Sequence, residues 1–279
     1  MKILITGANG QVGAALVKLL YEHHVIPITK SDCDLKEINQ IKKVIDYHKP
    51  DLIINSAAYT NVDQAEDEID IAYSINYEAP RIMAEKALER NIPFIHFSTD
   101  YVFDGKKEGA YTESDSSNPL GVYGKSKLAG DKAIQAIGGQ FYIFRTSWVY
   151  SNIGDNFYLT INKLANKSDK LSIVSNQFGV PTSSNFIAAE IKKILTQLSF
   201  ENTGIYNLVP DGSCSWYEFA REIIIKNKIS FNINNLLSIK AEDYQTKAMR
   251  PANSVLDNSH IKAIFMLEFE TWQSVLNKL

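Results

Sequence analysis

A chain of 279 residues, 45% hydrophobic and 22% charged with a formal net charge of -3, is composed like an ordinary folded globule; it is long enough for one large α/β domain or for a domain with a small appendage. There is no basic excess to hold a nucleic-acid backbone and no apolar run of membrane-spanning length, which excludes nucleic acid and membrane as partners. The two cysteines, Cys33 and Cys214, lie far apart and outside any metal-ligand spacing, which argues against a zinc site or a disulfide framework and for a reducing, cytoplasmic setting.

The first predicted element is the strand KILIT (2–6), which runs straight into a glycine loop, so a cleavable leader would take part of the fold with it. An amphipathic helix QVGAALVKLLYEHH (11–24) follows, then a strand VIPIT (25–29), a helix over 36–48 and a strand DLIINS (51–56). A long helix over 69–91 leads to the strand PFIHFS (93–98), a helix opening with VYGKSKLAG at 122, and the strand FYIFRTS (141–147). Beyond these the alternation loosens. Strands are expected at KLSIVS (170–175) and IYNLV (205–209), and helices at 184–198, 215–227 and 271–279. Short apolar strands alternating with helices predict an α/β fold: a doubly wound parallel sheet of the NAD(P)-binding Rossmann type with a smaller C-terminal α/β substrate-binding region. On this reading residues 1–150, completed by about 176–205, form the nucleotide-binding domain, and 151–175 with 206–279 form the smaller region.

ITGANGQVG places Gly7, Gly10 and Gly13 between the first strand and the first helix, with Asn9, Gln11 and Val12 among them. Glycines there let the backbone turn sharply and approach a pyrophosphate, while the helix start offers unpaired N–H groups to the phosphates. The spacing is Gly-x-x-Gly-x-x-Gly rather than Gly-x-Gly-x-x-Gly, and three glycines in a turn also suit structure alone. After the second strand come Thr29, Lys30 and Ser31, with Asp32 and Asp34 further on. A hydroxyl and a cation at that point accept a 2′-phosphate, which favours NADPH over NADH; a merely solvated Lys30 is the alternative. Ala57 and Ala58 at the end of the third strand leave room for a flat cofactor or for core packing.

Tyr123 and Lys127 stand four apart at a helix opening, which puts both side chains on one face. A lysine beside a phenol favours the ionised phenol, so Tyr123 could exchange a proton with an alkoxide. A helix-cap aromatic beside a solvated charge fits the same spacing. Thr99, just past the fourth strand, could donate a hydrogen bond to a substrate carbonyl beside Tyr123. Arg145 and His96, inside strands, read as structural groups; Trp148 at a strand edge could pack on a sugar or base, and Arg250, before a proline, could clamp a diphosphate or anchor its loop.

Taken in order, TGANGQVG, NSAAYTNVDQAE, STDYVFDG, NPLGVYGKSKLAG, RTSWVY, NQFGVPT and RPANSVLD resemble the extended short-chain dehydrogenase/reductases, and within them the dTDP-4-dehydrorhamnose reductases, over essentially the whole chain. The resemblance implies Thr99, Tyr123 and Lys127 as the catalytic triad, Gly10, Gln11 and Val12 as a cofactor contact, and Asp34 with Leu35 on the adenine side. It adds Ala57, Ala58 and Tyr59 to the cofactor site and Asp100 and Trp148 to the sugar-nucleotide site. The activity implied is NAD(P)H-dependent reduction of the C4 ketone of dTDP-4-dehydro-6-deoxy-L-mannose to dTDP-L-rhamnose for cell-surface polysaccharide. Dehydratases of the superfamily carry Asp-Glu after the threonine; here Asp100 is followed by Tyr101, so reduction is preferred. Better-known members form homodimers sharing magnesium through glutamates. Ala14 and Ala15 stand at the corresponding place in the first helix, so no metal is carried over and that dimer surface is in doubt. Two alternatives stay open: a reductase or epimerase of another nucleotide-linked 4-keto sugar, and a non-catalytic NADP-binding regulatory subunit.

Overall fold

The computed structural model describes residues 1–279, in the order β1 (Lys2–Thr6), α1 (Gln11–Leu19), β2 (His24–Ile28), α2 (Ile38–His48), β3 (Leu52–Asn55), α3 (Ile69–Tyr73), a π-helical turn (Ser74–Glu78), α4 (Ala79–Glu89), β4 (Phe94–Thr99), α5 (Val122–Ile137) and β5 (Phe141–Thr146). The remaining elements are β6 (Val149–Tyr150), α6 (Phe157–Ala165), β7 (Leu171–Val174), β8 (Phe178–Gly179), β9 (Thr182–Ser183), α7 (Ser184–Ile194), β10 (Gly204–Asn207), β11 (Cys214–Ser215), α8 (Trp216–Lys226), β12 (Leu236–Ile239), α9 (Ser259–Phe265) and α10 (Trp272–Asn277).

Six strands form one sheet in the order β10-β5-β4-β3-β1-β2, every neighbouring pair parallel. Strand residues alternate between its faces. Ile3 and Ile5 pack with Leu16 of α1 and Ile187 and Ile191 of α7, whereas Leu4 and Ile53 pack with Ile41 of α2 and Ile82 and Met83 of α4. Because both faces are covered, β3 and β4 are buried at every position, which is why they read as unbroken apolar runs. The strand order reverses between β1 and β3, and the crevice at that switch point is where ligands of such sheets bind.

A separate apolar cluster joins α6, α8 and α10 through Ile161, Phe219, Ile223 and Leu276. KLSIVS is a strand as expected, but it pairs with β12 outside the main sheet, whereas IYNLV supplies β10, which pairs with β5. The first helix ends at Leu19, not His24, because His24 is already in parallel register with Lys2. A turn must fit between them. No helix is long and apolar enough to cross a membrane.

Candidate active site

The crevice at the switch point is a cleft of about 520 Å³ running from the glycine loop to Tyr123 and Lys127. Gly7 turns at φ +68, and a Cβ on it would lie 2.8 Å from the Ala57 backbone, so the loop can lean on the end of β3 only without a side chain. Gly13 lies beneath that turn, where a Cβ would come within 2.1 Å of the Gly7 carbonyl oxygen. Gly10 is the N-cap of α1, with no side-chain cap and no acidic residue in the first turn. The N–H groups that open α1 therefore face the cleft free to bind an anion. Asn9, Gln11, Val12, Ala57 and Ala58 line the same cleft, and Asp34, Leu35 and Lys30 line its far end beyond β2. There Thr29 gives both its N–H (2.8 Å) and its hydroxyl hydrogen (2.6 Å) to Asp32, holding that carboxyl below its ordinary range and leaving Lys30 as the cation on the cleft wall.

Tyr59 does not line the cleft. Its hydroxyl donates to Glu68 at 2.8 Å, and its backbone is clasped on both sides by the Asn76 amide, at 2.9 and 3.1 Å. Asn76 sits in the π-helical turn and also donates to Ser126 Oγ at 3.0 Å, so the turn ties the loop after β3 to α5. Helix α5 presses close because Gly124 and Gly130 carry no Cβ; one would lie 2.2 Å from the Tyr101 and Asn76 carbonyls respectively. Glu66 accepts from the Val122 N–H at 2.8 Å and so caps α5 in place of a local side chain.

Thr99, Tyr123 and Lys127 converge where β4 ends and α5 begins. Burial pushes the Tyr123 phenol up to about 12; the Thr99 hydroxyl works against this, and the Asp100 and Asp131 charges add to it. Burial draws the Lys127 ammonium down to about 8, with Asp131 opposing. The lysine is not bonded to the phenol. Its Nζ donates to the Phe97 carbonyl at 2.6 Å and lies 3.0 Å from His96 Nε2, so the expected depression of the tyrosine is absent. Thr99 accepts from the Tyr101 N–H and donates to Asp100, each at 3.1 Å. Asp100 is buried, its Oδ2 lacks a hydrogen-bond partner, and burial pushes its carboxyl up to about 7, offset only in part by the Ser254 and Thr99 hydroxyls.

Arg250 is not free to clamp a diphosphate: its guanidinium donates to both oxygens of Asp63, at 2.7 and 3.1 Å, while Asp63 Oδ1 also accepts from the Ala248 N–H. Trp148, at φ +46, stacks on Trp216 with ring centroids 3.5 Å apart, and the missing Cβ of Gly179 makes room for its indole. The cleft wall beside it belongs to Val149. Arg145 is structural, as its mid-strand place suggested, and lies 3.5 Å from the buried Asp131. Ser98, Thr146 and Asp155 also line the cleft without having been singled out. Ser98 and Thr146 fall in predicted strands, where nothing in the sequence separates a wall residue from a core one.

The whole chain, residues 1–279, matches the family described as the RmlD substrate binding domain. It is 40% identical over 287 aligned positions to a dTDP-4-dehydrorhamnose reductase from Aggregatibacter actinomycetemcomitans, covering 100% of this chain and 98% of the other. It is 38% identical over 263 positions to the spore coat polysaccharide biosynthesis protein SpsK of Bacillus subtilis, covering 94% and 90%. Among solved structures, a dTDP-4-dehydrorhamnose reductase from Bacillus anthracis in complex with NADP superposes with a TM-score of 0.94 at 33% identity, covering 99% and 97%.

Proposed function

This chain belongs to the RmlD family of dTDP-4-dehydrorhamnose reductases, and from that premise we propose that it reduces the C4 ketone of dTDP-4-dehydro-6-deoxy-L-mannose with NADPH, in the cytoplasm, to give dTDP-L-rhamnose. The observation that carries this reading is that Tyr123 and Lys127 line one end of a cleft, with the buried Thr99 hydroxyl behind that wall beside Tyr123, while the cleft's other end is an uncapped helix start beneath a glycine loop. The cleft fits a dinucleotide. Adding a Cβ at Gly10 would meet only the Gly7 carbonyl, at 3.2 Å, so the bare face of that residue is open for a pyrophosphate against the first turn of α1. Ala57 and Ala58 would flank the middle of the cofactor, Asp34 and Leu35 its adenine end, and Lys30 a 2′-phosphate, which favours NADPH while leaving NADH usable.

When bound, NADPH supplies the hydride that adds to C4. The chain's own part is to place the ketone and deliver a proton. Tyr123, held up to about 12, is protonated throughout the neutral range and gives its phenolic proton to the C4 oxygen as negative charge builds there. Thr99 donates a hydrogen bond to the same oxygen once its hydroxyl turns from Asp100. Lys127 lines the cleft and would hold the nicotinamide ribose of a bound cofactor, where its charge would stabilise the phenolate left behind. Orientation of ketone and cofactor supplies much of the remaining acceleration. Arg250, already paired with Asp63, would act at the nucleotide-sugar end only as a fixed positive charge and not as a free clamp. Trp148 would bound the sugar through the edge of its stacked indole.

The test is oxidation of NADPH and of NADH, followed at the nicotinamide absorbance, with dTDP-4-dehydro-6-deoxy-L-mannose generated in place. Sugar-dependent oxidation yielding dTDP-L-rhamnose is expected, faster with NADPH. Cofactor binding with no oxidation would overturn the assignment and leave the regulatory-subunit reading standing.

A further inference from the structure

A line of buried polar side chains runs behind the active site and ends on Lys127; its other three members take no part in the mechanism above. Thr6 ends β1, Asn55 ends β3, His96 lies inside β4 and Lys127 projects from α5; all four are at most 4% exposed. The Thr6 hydroxyl and the Asn55 Oδ1 are 2.6 Å apart, Asn55 Nδ2 and His96 Nδ1 are 3.0 Å apart, and His96 Nε2 and Lys127 Nζ are 3.0 Å apart. Thr6 adjoins Gly7, so the line joins the cofactor loop to the lysine.

The direction of each bond follows from one backbone donor. The Ala57 N–H points at Asn55 Oδ1 at 3.3 Å, and a backbone N–H can only donate, so that amide atom is the oxygen. Its nitrogen must then face His96, and His96 Nδ1 must accept. A neutral imidazole has one N–H, which is therefore on Nε2 and points at Lys127 Nζ. An ammonium offers hydrogens and no lone pair, so the contact is a hydrogen bond only when Lys127 is the free amine.

We propose that His96 is a positioning residue for Lys127: Asn55 fixes its tautomer, and the resulting Nε2–H faces Nζ beside the Phe97 carbonyl and eases loss of the lysine's proton until cofactor draws it into the cleft. The proposal rests on the reading of Lys127 as catalytic only for its importance to turnover. The groups facing the lysine agree with it. His96 comes from β4; Tyr123 and Asp131 come from α5; Arg145 comes from β5 and lies 3.5 Å from Asp131, compensating the one buried carboxylate that favours the charged form. His96 itself is held well below its ordinary value, by burial first and the Lys127 charge second, and stays neutral.

Two measurements on the unliganded protein test this without any turnover. In protein labelled with ¹⁵N-histidine, the His96 ring is expected to show a bare Nδ1 and a protonated Nε2 at neutral pH; protonation on Nδ1 would overturn the assignment. In protein labelled at lysine, with Lys127→Met identifying the resonance, Lys127 is expected to titrate near 8. In His96→Gln the amide can turn its oxygen toward Nζ, so the midpoint should rise by roughly one unit. Asn55→Asp should raise it too, because a carboxylate takes the hydrogen of Nδ1 and leaves Nε2 as an acceptor. A folded His96→Gln whose Lys127 midpoint stays at or below that of the wild type would refute the proposal, and neither result bears on whether the sugar is reduced.

Discussion

Gly13→Ala and Gly10→Ala should separate the two jobs of the glycine loop. At Gly13 a Cβ would stand 2.1 Å from the Gly7 oxygen, 2.7 Å from its carbonyl carbon and 2.8 Å from Ser56 Oγ. The first of these is more than roughly 1 Å inside ordinary contact. Gly7 cannot retreat freely, since it is already a left-handed turn leaning on Ala57. Overpacking against backbone costs about 1–3 kcal/mol, which for a chain of this size lowers Tm by roughly 2–12 °C. The turn that faces the pyrophosphate moves with it, so the dissociation constant for NADPH should rise about tenfold or more, a loss of about 1.4 kcal/mol. At Gly10 the backbone is extended (φ -78, ψ 173) and the only neighbour is at 3.2 Å, so alanine should shift Tm by less than about 2 °C. Its methyl group enters the space meant for phosphate and should weaken NADPH by a similar factor. Differential scanning fluorimetry with a fluorescence titration of NADPH reads both quantities. Wild-type Tm and affinity in Gly13→Ala, or unchanged affinity in Gly10→Ala, would refute the packing argument.

Arg145→Met takes the guanidinium from buried Asp131 and leaves it only the Ser98 hydroxyl and the Lys127 charge, and should cost about 3–5 kcal/mol by urea unfolding; a loss under about 1 kcal/mol would show that Arg145 does not neutralise that carboxylate. Asp63→Asn removes the charge and one of the two oxygens that hold Arg250, and should raise KM for the sugar nucleotide about 3- to 10-fold with a smaller change in kcat; an unchanged KM would remove Arg250 from the substrate site. Asp100 has a folded-state value near 7 against an unfolded value of 3.8, so what it contributes to stability is fully present below 3.8 and is lost as pH rises toward 7. Asp100→Asn should therefore flatten the fall in stability between those limits, and an unchanged pH slope in urea midpoints would contradict the raised value.

Much of the site is local in sequence and was legible for that reason. The glycine loop, the Thr99 strand end and the Tyr123–Lys127 face each depend on a few consecutive residues, and the central strands β1 to β5 fall within one or two residues of their predicted limits. What escaped depends on partners far along the chain. Nothing near Arg250 announces Asp63, 187 positions away, so the sequence left a diphosphate clamp and a loop anchor both open, and the ion pair decides for the anchor. An apolar run such as KLSIVS does not say which strand it will pair with, and only β12, absent from the predicted elements, fixes its place. Lys127 was expected to act on Tyr123 because helical spacing puts them on one face; His96 and the Phe97 carbonyl, brought in by β4, take the lysine instead. The helices α6 and α9 were missed because their apolar residues answer to α8 and β10 across the fold and not to a long stripe of their own.

The most direct test of the central claim is the turnover number of Tyr123→Phe with dTDP-4-dehydro-6-deoxy-L-mannose and NADPH, beside its NADPH dissociation constant. Phenylalanine keeps the ring and removes only the proton donor, so kcat should fall by about 10² or more while cofactor affinity stays close to that of the wild type. A variant that binds NADPH normally and reduces the sugar within a few-fold of the wild-type rate would contradict the account.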